Sequence, residues 1–243
     1  MFRHRNNRIR PAKPEVSYRH EFKYAVDSLQ VEILRSRLTE IMAPDAHVGG
    51  TGVYQVRSLY FDDFYNSCYY ENEHGTDPRE KFRIRIYNGS DARISLELKQ
   101  KKYGMTHKKS CPMTRGQVED LIAGKPLAWD DDAPPLMKKF LLWLETRHGE
   151  PKVIVNYDRI PFVCPDGNVR VTLDTNIMSS GIPEDFFLPD FRGRPIMPTG
   201  RHLMEVKFDE FLPDHISRTL QTEGLSRVTF SKYQLCRKIG GIL

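Results

Sequence analysis

Cationic and apolar side chains alternate along the stretch Lys81-Phe82-Arg83-Ile84-Arg85-Ile86, which is the pattern of a β-strand with one charged face. Successive side chains on a β-strand point to opposite faces of the sheet. The apolar residues therefore share one face, and Lys81, Arg83 and Arg85 share the other. Taken alone, such a strand is typical of an antiparallel sheet with one solvated face.

Other stretches alternate in the same way, and their charged positions hold almost only Lys, Arg and Glu: Arg19-His20-Glu21-Phe22-Lys23, Glu97-Leu98-Lys99, Arg170-Val171-Thr172-Leu173-Asp174 and Glu205-Val206-Lys207. If these strands share a concave face, cations about 6 Å apart repel each other by roughly 3 kcal/mol per pair at an effective dielectric constant near 20. A bound polyanion would relieve that repulsion. The glutamates Glu21, Glu97 and Glu205 could hold a divalent metal that links the anion to the protein.

The composition indicates one large domain with a basic N-terminal tail. A chain of 243 residues can bury a full core, and its net charge of +5 favours anionic partners. Residues 1–17 are predicted to be a disordered tail, and residues 18–243 the folded domain. The four cysteines form no CxxC pair, and no apolar run approaches the length of a membrane span. These features predict a reduced, cytoplasmic chain without a direct membrane span.

Besides the stretch that begins at Arg19, strands are predicted at 53–62, 81–88, 93–101, 106–112, 152–163, 169–175 and 202–208. Short helices are predicted at 28–42, from Thr114 to about Gly124, from Pro135 to about Gly149, at 214–223 and at 231–239. Hairpins and short helices join the strands, so the predicted fold is α+β, an antiparallel sheet closing toward a barrel. The proline-rich segment 177–201 is predicted to be a long irregular loop that covers an opening.

Two groups of acidic residues have simpler interpretations than metal binding. Asp62 and Asp63 end a predicted strand and are interpreted as structural residues. Asp174 falls on the same strand face as Arg170, so a salt bridge that orients Arg170 is predicted.

The order of the motifs resembles a known family. They are Arg19-His20-Glu21-Phe22-Lys23-Tyr24, Ser58-Leu59-Tyr60-Phe61-Asp62-Asp63, Lys81-Phe82-Arg83-Ile84-Arg85, Glu97-Leu98-Lys99, Tyr157-Asp158-Arg159, Val169-Arg170-Val171-Thr172-Leu173-Asp174-Thr175, Glu205-Val206-Lys207 and Phe230-Ser231-Lys232-Tyr233. Their sequence from about residue 18 to residue 237 resembles the VTC domain. This is the catalytic domain of the vacuolar transporter chaperone family of polyphosphate polymerases, a branch of the triphosphate tunnel metalloenzymes.

The resemblance implies an eight-stranded antiparallel tunnel in which the γ-phosphate of ATP is transferred onto a growing inorganic polyphosphate chain. It implies that the catalytic phosphate-coordinating residues are Lys23, Arg83, Arg85, Lys99, Arg159, Arg170 and Lys207. Further substrate contacts are implied at Lys81, at Lys108 or Lys109, and at Ser231 and Lys232. Glu205 resembles the metal-binding carboxylate of the family, and the implied metal is Mn²⁺ or Mg²⁺.

One position departs from the hydrolytic members of the superfamily, which begin with a Glu-x-Glu-x-Lys strand. This chain has Arg19 at the first position, which removes one carboxylate and adds a cation. The change favours the polymerase branch. Phosphoryl transfer needs in-line positioning and charge neutralisation, which Arg, Lys and a divalent metal provide.

Three classes of function remain open from the sequence. They are a polyphosphate polymerase, a metal-dependent hydrolase of tri- or polyphosphate, and a module that binds polyphosphate or an inositol phosphate without turnover. Nucleic acid is a weaker candidate partner, because the charged faces lack interleaved aromatic residues. The expected partners are ATP and polyphosphate, and any coupling to a membrane would need a separate protein.

Overall fold

A computed structural model of the protein describes residues 18–46 and 48–241. The predicted disordered tail lies outside the described residues. The strands are β1 (His20–Asp27), β2 (Ala43–Pro44), β3 (Tyr54–Asp62), β4 (Arg79–Tyr87), β5 (Ser90–Lys102), β6 (Met105–Met113), β7 (Glu150–Cys164), β8 (Val169–Ser180), β9 (Arg194–Pro195) and β10 (Arg201–Phe208). The α-helices are α1 (Ser28–Ile41), α2 (Ser67–Glu73), α3 (Arg115–Ile122), α4 (Pro135–Arg147), α5 (Asp214–Thr219) and α6 (Lys232–Gly240).

The strands form one antiparallel sheet, which confirms the predicted α+β class. Eight of them follow each other in the order β1-β10-β8-β7-β3-β4-β5-β6, while the two-residue strands β2 and β9 pair with β7 and β8. The ends of this path meet where Arg19 and Thr106 exchange two backbone hydrogen bonds of 2.8 and 2.9 Å. If β1 and β6 continued to pair in this register, Glu21 would lie opposite Gly104, in the turn between β5 and β6. The pairing therefore stops at Arg19 and Thr106. The sheet therefore curves around an interior without forming a continuously bonded barrel.

Local sequence signals account for the ends of several elements. Asn88 and Gly89 join β4 to β5 with φ angles of 53° and 66°, the left-handed geometry that a two-residue hairpin turn requires. Asp27 forms a capping box with Gln30 at the start of α1. Thr114 does the same with Gln117 at the start of α3. These signals mark where one hairpin turns and where two of the helices begin.

Helices cover the outer face of the sheet in two places. Helices α3 and α4 pack against β4, β5 and β6, where Phe140 is fully buried between Phe61 and Phe82 at ring distances of 5.1 and 5.0 Å. Helices α1 and α5 pack against β1, β8 and β10 through residues that include Leu34 and Val206. The apolar face of each alternating strand therefore points outward and is buried under the helices, and the charged face points into the interior.

Helix α6 lies on the inner side of the sheet. Its residues Tyr233 and Cys236 are buried in an apolar cluster with Val155 of β7 and Tyr60 of β3. Because Tyr60 pairs with Arg83, this cluster is on the same face of the sheet as the charged side chains. Helix α6 thus fills part of the interior and leaves the rest as a polar cavity.

The segment 177–201 is more regular than predicted, and the interpretation as an irregular loop is wrong. Strand β8 continues to Ser180, a short 3₁₀ helix spans Pro183–Phe187, and β9 follows. The fully buried guanidinium of Arg57 donates to the carbonyl oxygens of Phe186 and Leu188 at 3.0 and 2.6 Å, which holds the segment against the outer face of β3.

The sequence patterns also missed α2, which is a single short helix between two loops. The four cysteines are free thiols. Among the helices of the described ranges, none is long and apolar enough to cross a membrane.

Candidate functional site

A cavity of about 550 Å³ lies inside the curved sheet, between its inner face and the start of α6. Strands β1, β4, β5, β7 and β10 supply most of its walls, and the segment 227–231 crosses one side. The structure brings most of the predicted site residues together in this cavity: Glu21, Lys23, Lys81, Arg83, Arg85, Lys99, Arg159, Glu205, Lys207, Ser231 and Lys232.

The cavity carries a large excess of positive charge. Eleven cationic side chains line it, against the three carboxylates Glu21, Glu80 and Glu205. The cations are Lys23, Arg79, Lys81, Arg83, Arg85, Lys99, Lys101, Arg159, Lys207, Arg227 and Lys232. Like charges confined at low dielectric repel strongly, so a compact polyanion is the ligand that this wall would stabilise.

Glu21 and Glu205 are the two carboxylates at the centre of the cationic wall. The ammonium of Lys207 lies 2.9 Å from Glu205 and 3.7 Å from Glu21, and that of Lys23 lies 3.9 Å from each. Burial raises the pKa of both carboxyl groups, but these lysines, with Lys99 beside Glu21, bring each pKa well below its ordinary value. Both groups are therefore ionised carboxylates at neutral pH, with oxygens that can act as ligands of a cation.

The start of α6 is tied to the cavity wall. Ser231 accepts a hydrogen bond of 3.3 Å from the backbone N–H of Gln234 and caps the helix. The next residue, Lys232, places its ammonium 2.6 Å from Asp174 and 2.8 Å from Glu205. Burial lowers the pKa of Lys232, but these two carboxylates raise it above its ordinary value overall, so the side chain stays charged.

Asp174 orients Arg159 rather than Arg170, and the predicted salt bridge with Arg170 is wrong. Two nitrogens of Arg159 each lie 2.7 Å from an oxygen of Asp174, in a bidentate pair that is almost fully buried. The register sets Asp174 opposite Arg159 on β7, which strand alternation alone could not reveal.

Arg170 lies on the inner face of the sheet but outside the cavity. It pairs across the sheet with Lys207. Its guanidinium is held 2.6 Å from Asp45 and 2.8 Å from the hydroxyl of Tyr54. Arg170 is thus the one predicted catalytic residue that the structure places away from the others.

Glu97 is also outside the cavity lining, although it was grouped with Glu21 and Glu205. It is 1% exposed, and its carboxylate contacts Arg83 at 2.6 Å and Lys108 at 3.0 Å. Lys108 lies opposite Lys99 and so faces inward, whereas the exposed Lys109 lies opposite the buried Leu98 and faces outward. Only Lys108 of this pair is on the cavity side of the sheet.

Several lysines of the wall are difficult to keep charged without a ligand. Burial lowers the pKa of Lys81 to about 8 and that of Lys99 to about 7, even though Glu21 opposes the shift at Lys99. Burial also lowers the pKa of Lys207, against the effect of Glu205 and Glu21. Negative charge beside these ammonium groups would raise their pKa values again.

The sequence analysis missed some residues that line the cavity. The hydroxyl oxygen of Tyr60 accepts a hydrogen bond of 2.8 Å from Arg83, and the ring of Tyr157 lies under the guanidinium of Arg159, with 5.1 Å to its centre. Strand alternation with Ser58 and Arg159 was a signal for both tyrosines. Arg227 stacks on Phe22 at 3.8 Å, and Asn72 accepts from Lys81 at 3.1 Å. These two come from a loop and from the missed helix α2, and no periodic pattern marks them.

The donor set can be compared with the needs of a divalent metal. Over residues 18–46 and 48–241, no three His, Cys, Asp or Glu side chains converge into a group that could hold a metal alone. Mg²⁺ in phosphate sites, however, is commonly bound through one or two carboxylates together with the phosphates of the substrate. The ionised pair Glu21 and Glu205 fits a cation of that kind.

The fold and the site define a tunnel-like antiparallel sheet with a cationic interior. The chain belongs to the VTC domain family, whose model matches residues 18–239. The resemblance predicted from the motifs is therefore confirmed. Family and site together support an enzyme of the tunnel kind whose substrates are related to tri- or polyphosphate.

Three solved structures are similar to this chain in outline. A protein from Hippeastrum, described as an adenylyl cyclase with dominant triphosphatase activity, is 13% identical, with 91% of this chain and 95% of that chain covered and a TM-score of 0.48. A protein from Pyrococcus horikoshii is 15% identical, with 91% and 99% covered and a TM-score of 0.47. A proposed adenylate cyclase from Bacillus halodurans is 14% identical, with 84% and 87% covered and a TM-score of 0.46. At these values they carry no argument about the chemistry of this chain. No curated protein matches the sequence.

Proposed function

We propose that the protein is a polyphosphate polymerase that transfers the γ-phosphoryl group of ATP to the end of an inorganic polyphosphate chain. A terminal phosphate oxygen of the chain attacks the γ-phosphorus, the bond to the β-phosphate oxygen breaks, and ADP leaves. The observation that carries the proposal is the cavity itself, in which eleven cations face three carboxylates. Donor and acceptor are both polyanions, so the site must neutralise two chains of phosphates at once.

The arginines are the residues best suited to hold the transferred group. Arg83 is fixed by Tyr60 at 2.8 Å, and Arg159 is fixed by its bidentate pair with Asp174. A guanidinium that is already oriented stabilises charge in the transition state with little reorganisation. Arg83, Arg85 and Arg159 can therefore grip phosphate oxygens in pairs, as a planar fork allows.

The lysines act along the chain as point charges. Lys23, Lys81, Lys99 and Lys207 line the walls, and Ser231 and Lys232 add contacts from the start of α6. Arg170 and Lys108 lie beyond the cavity on the same inner face, where they would contact a longer chain. Lys109 points outward and is left out of the proposal.

The metal-binding residues in this proposal are Glu205 and Glu21. When bound, Mg²⁺ or Mn²⁺ supplies charge neutralisation on the triphosphate oxygens. No protein nucleophile is needed, because the acceptor is the terminal phosphate of the product.

The test is incubation of the purified protein with ATP and Mg²⁺ or Mn²⁺, with products resolved by phosphorus NMR and by gel. Wild type is expected to make long polyphosphate and a matching amount of ADP. Arg83→Ala is expected to lose this activity, and Arg115→Ala, on the outer surface, is expected to keep it. Orthophosphate without polymer would indicate a hydrolase instead. Unchanged ATP together with polyphosphate binding would indicate a non-catalytic module.

A further inference from the structure

Glu97 is a buried carboxylate whose partners lie on two sides of the cavity wall. Arg83 contacts it through two nitrogens at 2.6 and 2.8 Å, and Arg85 lies 3.5 Å away. Both arginines line the cavity. The third partner, Lys108, contacts the other carboxylate oxygen at 3.0 Å and does not line it. Glu97 therefore connects the two arginines that line the cavity with Lys108, which lies outside the lining.

The surroundings of Glu97 are those of a phosphate. Two arginines and a lysine converge on its oxygens with the charge-assisted geometry that such groups use for bound phosphate. Burial raises the pKa of Glu97, but Arg85, Arg83 and Lys108 bring it far below the ordinary value, so the group is an anion. An internal carboxylate thus occupies a position that suits a phosphate of the ligand.

A second group of cations lies on the inner face beside the residues that line the cavity. Lys108 pairs across the sheet with Lys99, Arg170 pairs with Lys207, and Arg19 shares the strand face of Glu21. Their side chains are 51%, 32% and 28% exposed, so this outer basic group reaches solvent. Each is held by a carboxylate outside the cavity lining: Glu97 for Lys108, Asp45 for Arg170 and Asp209 for Arg19.

We propose that Glu97 is an internal gate between the cavity and a second mouth lined by Arg19, Lys108 and Arg170. A polyphosphate chain that outgrows the cavity displaces the carboxylate from Arg83, Arg85 and Lys108 and continues along the outer basic group. A triphosphate fits within the cavity and leaves the gate closed. Glu97 would thus set the preference for chain length, an inference that rests on the proposed polyphosphate substrate.

The test is equilibrium binding of tripolyphosphate and of long-chain polyphosphate, with the full chain and in the presence of a chelator so that no metal contributes. In Glu97→Gln, the affinity for the long chain relative to tripolyphosphate should rise about tenfold. This rise corresponds to roughly one charge-assisted contact that the long chain no longer has to displace. Because this variant leaves three cations without their counter-charge, Glu97→Asp is measured beside it. Aspartate keeps the charge but is too short to span both sides, and a smaller rise is expected.

Arg19→Gln identifies the path past the gate. It should leave tripolyphosphate binding unchanged and weaken long-chain binding, both alone and combined with Glu97→Gln. An unchanged ratio of long-chain to tripolyphosphate affinity in both Glu97 variants would overturn the gate, because a merely structural counter-ion would alter both ligands alike. If wild type bound polyphosphate of no length, the proposed function would fail and the gate with it.

Discussion

The ammonium of Lys232 lies 2.8 Å from Oε1 of Glu205, so the first residue of α6 is joined to the middle of β10. This contact connects the helix that fills the interior with the carboxylate at the centre of the cationic wall. It also means that the charge of Glu205 serves two purposes. It holds Lys232 in the cavity, and in the proposed reaction it would also be a ligand of the metal that arrives with substrate.

Glu205→Gln should separate these two purposes. The amide cannot replace a carboxylate as a ligand for a divalent metal, so turnover should fall by about a hundredfold or more. Polyphosphate binding measured without metal should persist, because the cations remain. Initial rates across a Mg²⁺ or Mn²⁺ titration, with calorimetric binding beside them, check this. Glu119→Gln, on the exposed face of α3, is the matched control. Full turnover in Glu205→Gln would show that the metal does not depend on this carboxylate.

The pH dependence of binding should report on Lys81. Burial lowers its pKa to about 8, and phosphate oxygens around the ammonium would raise it again. Since the complex then holds more protons than the free protein, binding should take up protons, and affinity should fall as pH rises through about 7, where Lys99 loses its proton, and about 8, where Lys81 does. Arginine stays charged, so Lys81→Arg should lower the uptake at about pH 9 by roughly one proton.

Calorimetry in two buffers of different ionisation enthalpy measures the proton uptake directly. Lys125→Arg, at an exposed site in the turn after α3, is the control and should bind as wild type does. The same uptake in wild type and Lys81→Arg would exclude Lys81 as the group that titrates.

Arg159→Lys should test the value of an oriented guanidinium. Lysine keeps the charge but loses the bidentate pair with Asp174, in which both distances are 2.7 Å. If Arg159 acts on the transferred phosphoryl group, kcat should fall by roughly tenfold to a hundredfold while KM for ATP changes less. A change in KM alone would indicate that Arg159 contacts the bound substrate but makes no interaction that is specific to the transition state.

Asp62 should matter for stability. It is fully buried and accepts hydrogen bonds from the backbone N–H groups of Asp63, Cys68 and Tyr69, and from the hydroxyl of Tyr233. It therefore joins β3, α2 and α6. Asp62→Asn places an amide donor among these donors and should lower the free energy of unfolding by about 2–4 kcal/mol.

Urea denaturation monitored by circular dichroism measures that loss. Asp132→Asn, in an exposed loop, should be neutral. An Asp62→Asn variant as stable as wild type would mean that the hydrogen bonds of Asp62 do not contribute to holding α6 in the interior.

The strands and their inward faces were predictable because one local rule decides them. Alternation at Lys81 to Ile86 places Arg83 and Arg85 inside and leaves Phe82 and Ile84 fully buried on the other face. The capping box of Thr114 and Gln117 at the start of α3 was equally local. Most of the wall of the candidate site followed from the same rule.

The pairing of charges was not predictable, since it depends on register and on loops far away in sequence. Arg170 lies on the predicted face, yet it is outside the cavity. Its guanidinium contacts Asp45, the residue that follows β2. Asp174 contacts Arg159 because β7 and β8 pair in that register. Glu97 resembles a metal ligand in the sequence, and only the packing of Arg83, Arg85 and Lys108 around it shows an internal counter-ion.

Polymerase activity is tested most directly by following the γ-phosphorus of labelled ATP through a single reaction. We expect the label in the interior of long polyphosphate chains, with one ADP released for each phosphate incorporated. Label recovered as orthophosphate or pyrophosphate, with no polymer formed, would contradict it.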